Sequence, residues 1–342
     1  MAHLLLGRIP VSYLLRRLLV FGLTIWLAAT VIWLVPRLTP GDPVSAMVGQ
    51  MMETSAYVSG AEDIIKAWRA RFGLDEALWI QYLRYLWNCL TLDFGYSYSA
   101  FPASVADLIS YKLPWTLGLL LLSVTLSFVI GNLLGALMFW SGTPAFVRYL
   151  IPVGMIFTSI PTILAGLFLL YIFSFTLRWF PLRGIYDQDI PAGISWEFIA
   201  SVIHHGTLPA LSIILVSFGA WALGMRGMMI TIEGEDFTNL ARAKGLRPMY
   251  LLYRYMIRNA ILPQVTAFAF QIGTLLSGQI LVEIVFGYQG MGLLIYDAIL
   301  SRDYALLQGS CYIIILMTAL SVLIVDLAYP LIDPRISHRS GA

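Results

Sequence analysis

The strongest constraint on the fold is a set of long apolar stretches with few or no charged residues. Each has roughly the 20 residues that a helix needs to cross a hydrocarbon core of about 30 Å. Because backbone N–H and C=O groups find no water inside a bilayer, such stretches are expected to be helical. Six of them occur, at residues 18–36, 113–140, 149–177, 208–225, 262–286 and 306–331. The sequence therefore predicts an all-α, polytopic membrane protein with about six transmembrane helices.

The composition agrees with this prediction and excludes other classes. Of the 342 residues, 59% are hydrophobic and 12% are charged, whereas soluble domains carry about 25% charged residues. So few charges cannot solvate the surface of a soluble protein of this size, and so apolar a chain is neither disordered nor collagen-like. The 21 basic and 19 acidic residues are scattered and leave a net charge of +2. No basic patch therefore predicts a nucleic-acid partner.

The distribution of basic residues predicts how the chain is oriented in the membrane. In the short predicted loops, twelve Lys and Arg residues lie on the side that holds both termini, and three, Arg178, Arg183 and Arg302, lie on the other. The positive-inside rule places both termini in the cytoplasm, which agrees with an even number of spans. The first apolar stretch follows Arg16 and Arg17, but it is too long for a signal peptide and is interpreted as a retained anchor.

These spans divide the chain into four predicted regions. Residues 1–38 form a tail and the first helix, 39–112 an extracytoplasmic loop, 113–332 a five-helix core with a cytoplasmic loop at 231–262, and 333–342 a cytoplasmic tail. The extracytoplasmic loop has amphipathic periodicity, which predicts helices that lie on the membrane or on a partner. Its aromatic residues would suit sugar stacking or a belt at the membrane–water interface. They are Trp68, Trp79, Tyr82, Tyr85, Trp87, Tyr96 and Tyr98.

Glycine positions bear on how the predicted helices pack, and cysteine positions bear on whether the chain contains a disulfide or a metal site. Gly131 and Gly135 form a G-x-x-x-G pattern, which lets two helices approach closely, either within the chain or at a seam with another chain. Cys89 and Cys311 are 222 residues apart and match no metal-binding spacing. We interpret them as unpaired packing residues, although the sequence alone does not settle whether they pair.

The usual signatures of catalysis are missing from the sequence. The three lysines follow Ile65, Tyr111 and Ala243, so no phosphate-binding G-K-[ST] step exists. The four histidines form no H-E-x-x-H motif, and no G-x-S-x-G occurs. Ser123 and Ser127 lie on an apolar helix and are expected to bond back to the preceding turn. The sequence predicts no catalytic residue, no metal site and no cofactor bound by this chain.

The predicted spans also lack a central ionisable group. Glu283 and Asp326 come nearest, but each lies close to a predicted span end. There an interfacial structural role and a proton-relay role are both open. Transport driven by an ion gradient needs such a group near the bilayer midplane. The energy for any transport is therefore expected to come from outside the chain, with a self-sufficient, ion-coupled secondary transporter as the alternative. An intramembrane enzyme is disfavoured because no nucleophile with its base, and no metal set, is found.

One cytoplasmic segment, residues 236–263, has more pattern than a charged membrane anchor requires. Residues 237–244 favour a helix, Gly245 can end it in a left-handed cap, and Pro248 is well placed to begin a second one. A short helix that projects between longer helices can fit into a cleft of a partner protein. The alternative, a basic topology anchor, explains the charges but not the glycine and proline spacing.

This segment resembles the EAA loop of ABC importer permeases of the peptide, nickel and oligosaccharide branch. The resemblance rests on Ala241-Arg242-Ala243-Lys244-Gly245-Leu246, followed by Arg258-Asn259-Ala260-Ile261-Leu262-Pro263. Asn239-Leu240 stand where the name-giving Glu-Ala would fall, so no ion pair is carried over from that position. Further similar motifs are Pro40-Gly41-Asp42-Pro43, Phe72-Gly73-Leu74-Asp75, Gln81-Tyr82, Asp93-Phe94-Gly95, Leu113-Pro114-Trp115-Thr116-Leu117, Ser159-Ile160-Pro161, Glu283-Ile284-Val285-Phe286-Gly287-Tyr288, Gly290-Met291-Gly292, Arg302-Asp303-Tyr304 and Asp333-Pro334-Arg335.

The resemblance implies a type I ABC importer permease of the longer-first-loop subunit type, in the bacterial inner membrane. Its expected partners are a second homologous permease in a heterodimer, two ABC ATPase subunits that bind ATP and Mg, and an extracytoplasmic solute-binding protein. The expected cargo is an oligopeptide or dipeptide, with an oligosaccharide or a nickel chelate as alternatives. The chain itself would be a non-catalytic half of the translocation path.

Site residues follow from the same resemblance and from polar positions in the spans. Residues 241–252 are expected to form a coupling helix that docks on an ATPase subunit, with Ala241, Arg242, Ala243, Lys244, Gly245 and Leu246 as its motif. Polar residues inside apolar spans are expected either to line the path or to bond between helices. They are Asn132, Gln271, Thr274, Ser277 and Gln279. A glycine-rich outer gate loop is expected at Gly287, Gly290 and Gly292.

Overall fold

A computed structural model describes residues 11–38, 66, 75–139, 143–274 and 280–332. Within these ranges the chain is helical, and the only strand-like pairing is an isolated bridge between Tyr96 and Ser104. The predicted all-α class is confirmed. The first six helices are α1 (Val11–Leu38), α2 (Leu78–Thr91), α3 (Val105–Phe139), α4 (Ala145–Thr158), α5 (Thr162–Leu169) and α6 (Trp196–Glu233). The next six are α7 (Asp236–Ala243), α8 (Pro248–Leu251), α9 (Arg258–Thr274), α10 (Ile280–Val285), α11 (Met291–Leu300) and α12 (Tyr304–Ile332).

Four described helices are long and apolar enough to cross a membrane by themselves. They contain the segments Ser12–Leu38, Val105–Phe139, Trp196–Glu233 and Tyr304–Leu327. A fifth candidate consists of α4 and α5, with a π-helix at Leu170–Thr176 that continues α5. The predicted stretch 262–286 is described as α9 and α10, and residues 275–279 between them lie outside the described part. The structure thus describes a multi-pass membrane protein.

The predicted stretch 149–177 is not one straight helix. Its two halves, Pro152–Thr158 and Thr162–Thr176, meet at an angle of 108°. Pro161 explains the position of the break, because proline has no N–H to donate and disfavours helical backbone at Ile160. The segment is therefore a broken span or a re-entrant element.

The described chain forms two compact units. The first consists of Met1–Thr116 and Gln289–Ala342, and the second of Leu117–Tyr288. The four-region division predicted from the sequence stays a prediction.

In the first unit, α1 packs along α12. Near the start of α1, Arg17 Nη1 lies 2.8 Å from Asp326 Oδ2, and the Tyr13 hydroxyl donates to the Asp326 carbonyl oxygen at 2.9 Å. The Asp326 carboxylate therefore has a basic partner, which favours the structural interpretation of this residue over a proton relay. Cys89 and Cys311 are both free thiols, as interpreted from the sequence.

In the second unit, glycine allows helix α6 to lie against its neighbours. A Cβ atom at Gly131 of α3 would lie 2.5 Å from the Cβ of Trp221, and one at Gly135 would lie 2.4 Å from the Ala222 carbonyl oxygen. Both contacts are inside the chain, so the G-x-x-x-G pattern packs intramolecularly. Helix α4 approaches α6 in the same way, because a Cβ at Gly219 would lie 2.5 Å from the carbonyl carbon of Gly154.

Candidate functional site

A helix–turn–helix follows the long helix α6. Helix α7 ends at Ala243, Lys244 is its C-cap, and Gly245 has a φ of +70°. The Gly245 N–H donates to the Arg242 carbonyl oxygen at 3.0 Å. Pro248 then opens α8, where its missing N–H costs nothing. The left-handed glycine and the proline start that the sequence predicted are both confirmed.

The expected single coupling helix at 241–252 is wrong in its extent. The helix stops at Ala243, restarts at Pro248 and passes into a π-helix at Leu252–Ile257 before α9 begins. The positive φ of Gly245 and the proline at 248 are incompatible with one continuous helix. The segment is therefore two short helices joined by a tight turn.

Buried residues hold this helix–turn–helix against the body of the second unit. Thr238 is fully buried, and its Oγ1 donates to the Ile232 carbonyl oxygen at 2.8 Å. Ala241 is 3% exposed and packs in a hydrophobic cluster with residues from α3, α6, α8, the π-helix and α9. The other buried members are Ala136, Met225, Met229, Ile232, Leu251, Leu252, Met256 and Ala260. The segment thereby packs against the ends of three helices, α3, α6 and α9.

The outer side of the helix–turn–helix combines exposed apolar and basic side chains. Arg242 Nη2 lies 3.0 Å from Glu233 Oε1, but both side chains are about half exposed, so this pair contributes little stability. Exposed large apolar side chains beside basic ones can provide an interaction site. Those exposed are Phe237, Leu240, Met249 and Tyr250, beside the exposed basic residues Lys244 and Arg247. The predicted motif at 241–246 contains none of these four apolar residues. Met249 and Tyr250 lie within the predicted coupling helix at 241–252, whereas Phe237 and Leu240 lie outside it, although Leu240 stands out as an apolar residue among polar neighbours.

Comparisons with known proteins decide the family. Residues 131–338 match the family described as the binding-protein-dependent transport system inner membrane component. The chain is 31% identical to the oligopeptide transport system permease protein AppB of Bacillus subtilis, over 96% of this chain and 99% of that protein. It is 30% identical to the di/tripeptide transport system permease protein DppB of Pseudomonas aeruginosa, over 96% and 99% respectively. A Brucella suis protein described as a peptide permease is 34% identical over 95% and 98%.

This chain is an ABC importer permease of the peptide branch. The family to which the resemblance pointed is confirmed, and membership in it does not favour the secondary-transporter alternative. Permeases of this family work with ATPase and binding-protein components, so this permease does so too.

The structure describes some of the permease's predicted path residues in full and others in part or not at all. Asn132 is 5% exposed, and its Nδ2 donates to the Phe128 carbonyl oxygen of its own helix at 2.8 Å. Its Oδ1 has no hydrogen-bond partner in the structure. Gln271 is half-buried on α9, and the side chain of Thr274 lies outside the described part, as do Ser277 and Gln279. The roles of these residues stay a prediction.

The two serines singled out on the long helix α3, Ser123 and Ser127, differ in their hydrogen bonding. Ser123 Oγ donates to the Leu119 carbonyl oxygen at 2.6 Å, as predicted. For Ser127 the same prediction is wrong, because its buried Oγ has no hydrogen-bond partner in the structure.

The glycines of the expected outer gate loop adopt different conformations. In the second unit, Gly287 has a φ of +54°, and a Cβ there would lie 3.2 Å from the side chain of Arg183. In the first unit, Gly290 precedes helix α11, and the Met291 N–H donates to Thr116 Oγ1 at 2.7 Å. The positive φ and the close Arg183 side chain both favour glycine at 287, while the gating role stays a prediction.

A buried carboxylate organises the part of the first unit around residues 97–99. Asp303 is fully buried and caps α12, because its Oδ1 accepts from the Leu306 N–H at 3.0 Å. Its Oδ2 accepts from Ser97 Oγ at 2.5 Å, Ser99 N at 2.9 Å and Ser99 Oγ at 3.0 Å. Burial, and next the charge of Asp303, raise the pKa of the neighbouring Tyr98 phenol. Asp303 therefore fastens residues 97–99 to the start of α12.

Proposed function

We propose that this permease forms half of the translocation path for a short peptide and that its helix–turn–helix at 236–251 receives the motion of an ABC ATPase. The observation that carries the coupling proposal is the combination of a buried anchor with an exposed docking surface. Ala241 and Thr238 are fixed in the second unit, whereas Leu240 and Tyr250 are 58% and 51% exposed. A force applied to the exposed side would be passed to the helices through the buried side.

The proposed cargo is an oligopeptide or dipeptide delivered by an extracytoplasmic binding protein. Support comes from the names of the relatives, which are described as peptide, oligopeptide and di/tripeptide permeases. The chain is proposed to be non-catalytic, because no lysine in it follows a glycine in the way that a phosphate-binding loop requires.

The proposed assembly contains this chain, a second and different permease chain, and two ATPase subunits that bind ATP and Mg. Its location is the bacterial inner membrane, with both termini in the cytoplasm. The twelve basic residues on the terminal side, against three on the other, support this orientation. Helices α7 and α8 would then face the cytoplasm, where ATP is available.

Substitution of the turn glycine tests the coupling proposal. Gly245→Pro fixes φ near −65° where the native φ is +70°, so it should abolish ATP-dependent peptide uptake while membrane insertion stays intact. The matched control is Gly234→Ala, since Gly234 has an ordinary φ of −76° and lies just before α7. The control should retain uptake, measured in proteoliposomes that contain the whole transporter. Unchanged uptake by the Gly245→Pro transporter would contradict the coupling role.

A second experiment tests whether the permease depends on the ATPase subunits for its energy. Proteoliposomes that contain this chain alone should neither hydrolyse ATP nor accumulate peptide under an imposed ion gradient. Uptake driven by a gradient without the ATPase would overturn the proposal.

A further inference from the structure

Helix α2 lies outside the spanning helices and has an inner face that fixes it to the first unit. On this face, Tyr85 is 8% exposed and Cys89 is 3% exposed. Both pack in a buried cluster with Ala29 of α1 and Tyr312 of α12. The helix is therefore held in one orientation, which fixes the directions in which its other two faces point.

A second face of α2 is polar. Arg84 Nη2 lies 2.7 Å from Glu76 Oε2, and Gln81 Nε2 donates to the Glu76 carbonyl oxygen at 2.8 Å. Thr91 lies on the same side, two turns beyond Arg84, and is exposed. This face is suited to water.

The third face of α2 is apolar and exposed. Trp79, Leu83, Trp87 and Leu90 are 66%, 55%, 65% and 76% exposed. Their spacing of four, four and three residues puts them on one side of the helix. None of them carries a charge, and together they form the apolar stripe of α2. Large apolar side chains so contiguous and so exposed indicate an interaction surface rather than scattered surface residues.

Contacts with α1 set the depth of this stripe relative to the membrane. The hydroxyls of Thr30 and Tyr82 share a hydrogen bond of 2.7 Å, and the ring centroids of Trp33 and Tyr82 are 5.1 Å apart. Arg37 Nη2 donates to Gln81 Oε1 at 3.0 Å. These three α1 residues belong to the last three turns of a membrane-spanning helix that ends at Leu38. Helix α2 is thus fastened where α1 leaves the bilayer.

We propose that the apolar stripe of α2 is a lipid anchor, which inserts into the boundary between headgroups and acyl chains in the leaflet at the Arg37 end of α1. With the predicted orientation, this is the extracytoplasmic leaflet. Tryptophan favours this depth because its ring is apolar and its N–H finds polar partners. A helix with a charged face and an apolar face rich in Trp and Leu lies in the interface plane. A binding protein is the less suitable occupant, because the contacts of Tyr82 and Gln81 with α1 hold the stripe at the end of a membrane-spanning helix, which is the depth of the membrane–water interface.

Photocrosslinking distinguishes lipid from protein at the stripe. Benzoylphenylalanine is placed at Leu83, in the stripe, or at Arg84, on the polar face, in the whole transporter in phospholipid nanodiscs. After irradiation, mass spectrometry should show a phospholipid adduct at position 83 that exceeds the one at position 84 by at least about fivefold, since only the first side chain reaches the acyl boundary. A protein adduct at position 83, either to the binding protein or within the permease, would overturn the proposal. Equal lipid labelling at both positions would also overturn it.

A second measurement guards against a crosslinking variant that fails to assemble. The unmodified permease and a Trp79→Phe/Trp87→Phe double variant are compared in nanodiscs of lipid brominated near the glycerol end of the acyl chains. The wild-type fluorescence should contain a strongly quenched component that the double variant lacks. Identical fractional quenching in both proteins would show that the two rings lie away from the lipid.

Discussion

Ser97 and Asp303 are joined by a 2.5 Å hydrogen bond across 206 residues of sequence, in which the serine hydroxyl donates to a fully buried carboxylate. The bond connects the loop after α2 to the start of α12. Asp303→Ala should therefore loosen this part of the first unit. It leaves four donors without their acceptor, of which Ser97 Oγ and the Leu306 N–H are in buried hydrogen bonds, and we expect this loss to cost about 3 kcal/mol or more. The measurement is the thermal unfolding midpoint of the purified transporter, together with protease cleavage between α2 and α3.

Two further substitutions make the Asp303 prediction specific. Asp303→Asn keeps one acceptor oxygen for the Leu306 N–H, so its destabilisation should be smaller than that of Asp303→Ala. Asp107→Ala is the control, because Asp107 is exposed and accepts a comparable 2.6 Å bond from Ser104 Oγ. A substitution at an exposed site of this kind is expected to lower the free energy of unfolding by no more than about 1 kcal/mol. Equal effects of Asp303→Ala and Asp107→Ala would contradict the anchoring role.

Close packing of α4 on α6 predicts opposite outcomes for two glycines of α6. Gly219→Ala places a methyl group 2.5 Å from the backbone carbon of Gly154, and backbone cannot move aside as a side chain can. The expected cost is about 1–3 kcal/mol. Gly227→Ala meets nothing within 4 Å and should gain about 0.5–1 kcal/mol through helix propensity. Thermal inactivation of the purified protein measures both, and equal stability of the two variants would refute the close approach.

The ion pair between Arg17 and Asp326 predicts non-additive effects. The two side chains are 38% and 12% exposed, at a distance of 2.8 Å. Arg17→Gln should destabilise the protein by about 1–2 kcal/mol, because it leaves a largely buried carboxylate without its partner. The Arg17→Gln/Asp326→Asn double variant should be more stable than the sum of the single changes implies. A double-mutant cycle of thermal unfolding tests this, and strictly additive effects would show that the pair does not interact.

Burial raises the pKa of the Cys89 thiol to about 11. The thiolate is the reactive form, so its fraction should be very small at neutral pH and should grow as the pH approaches 11. Cys89 is also 3% exposed. Maleimide labelling at pH 7.5 should therefore leave Cys89 unmodified, while a cysteine introduced at the exposed Thr91 on the same helix reacts. Mass spectrometry measures the maleimide labelling of both cysteines. Equal labelling rates at the two positions would contradict the buried environment described for Cys89.

Features of the fold that depend on local chemistry were predictable from the sequence. Gly245 and Pro248 define the turn between α7 and α8 because each residue restricts its own backbone. The break at Pro161 has an equally local cause, but proline alone does not fix an angle of 108°. The size of the bend depends on what each half packs against, and the sequence stretch 149–177 looked like one continuous span.

Pairings between distant residues could not be predicted. Gly154 and Gly219 meet on different helices, and nothing in the pattern around either indicates its partner. In the sequence, Asp303 is distinguished only by its place in a family motif, while its bonds to Ser97 and Ser99 exist only because the fold brings these residues together. The role of a polar residue in a span is ambiguous from the sequence for a related reason. Asn132 bonds within its own helix, and its sequence signal is the same as that of a path-lining residue.

The most direct test of the central claim is a crosslink between the exposed side of the helix–turn–helix and the motor. A photoreactive residue at Leu240, which is 58% exposed, is introduced into the permease of an actively transporting assembly. A control carries it at Ile203, an exposed position near the start of α6, some 30 residues before α7. The coupling proposal predicts that the residue at position 240 forms an adduct with the ATPase subunit and that the residue at position 203 forms none. Full transport without any ATPase adduct from position 240 would contradict it.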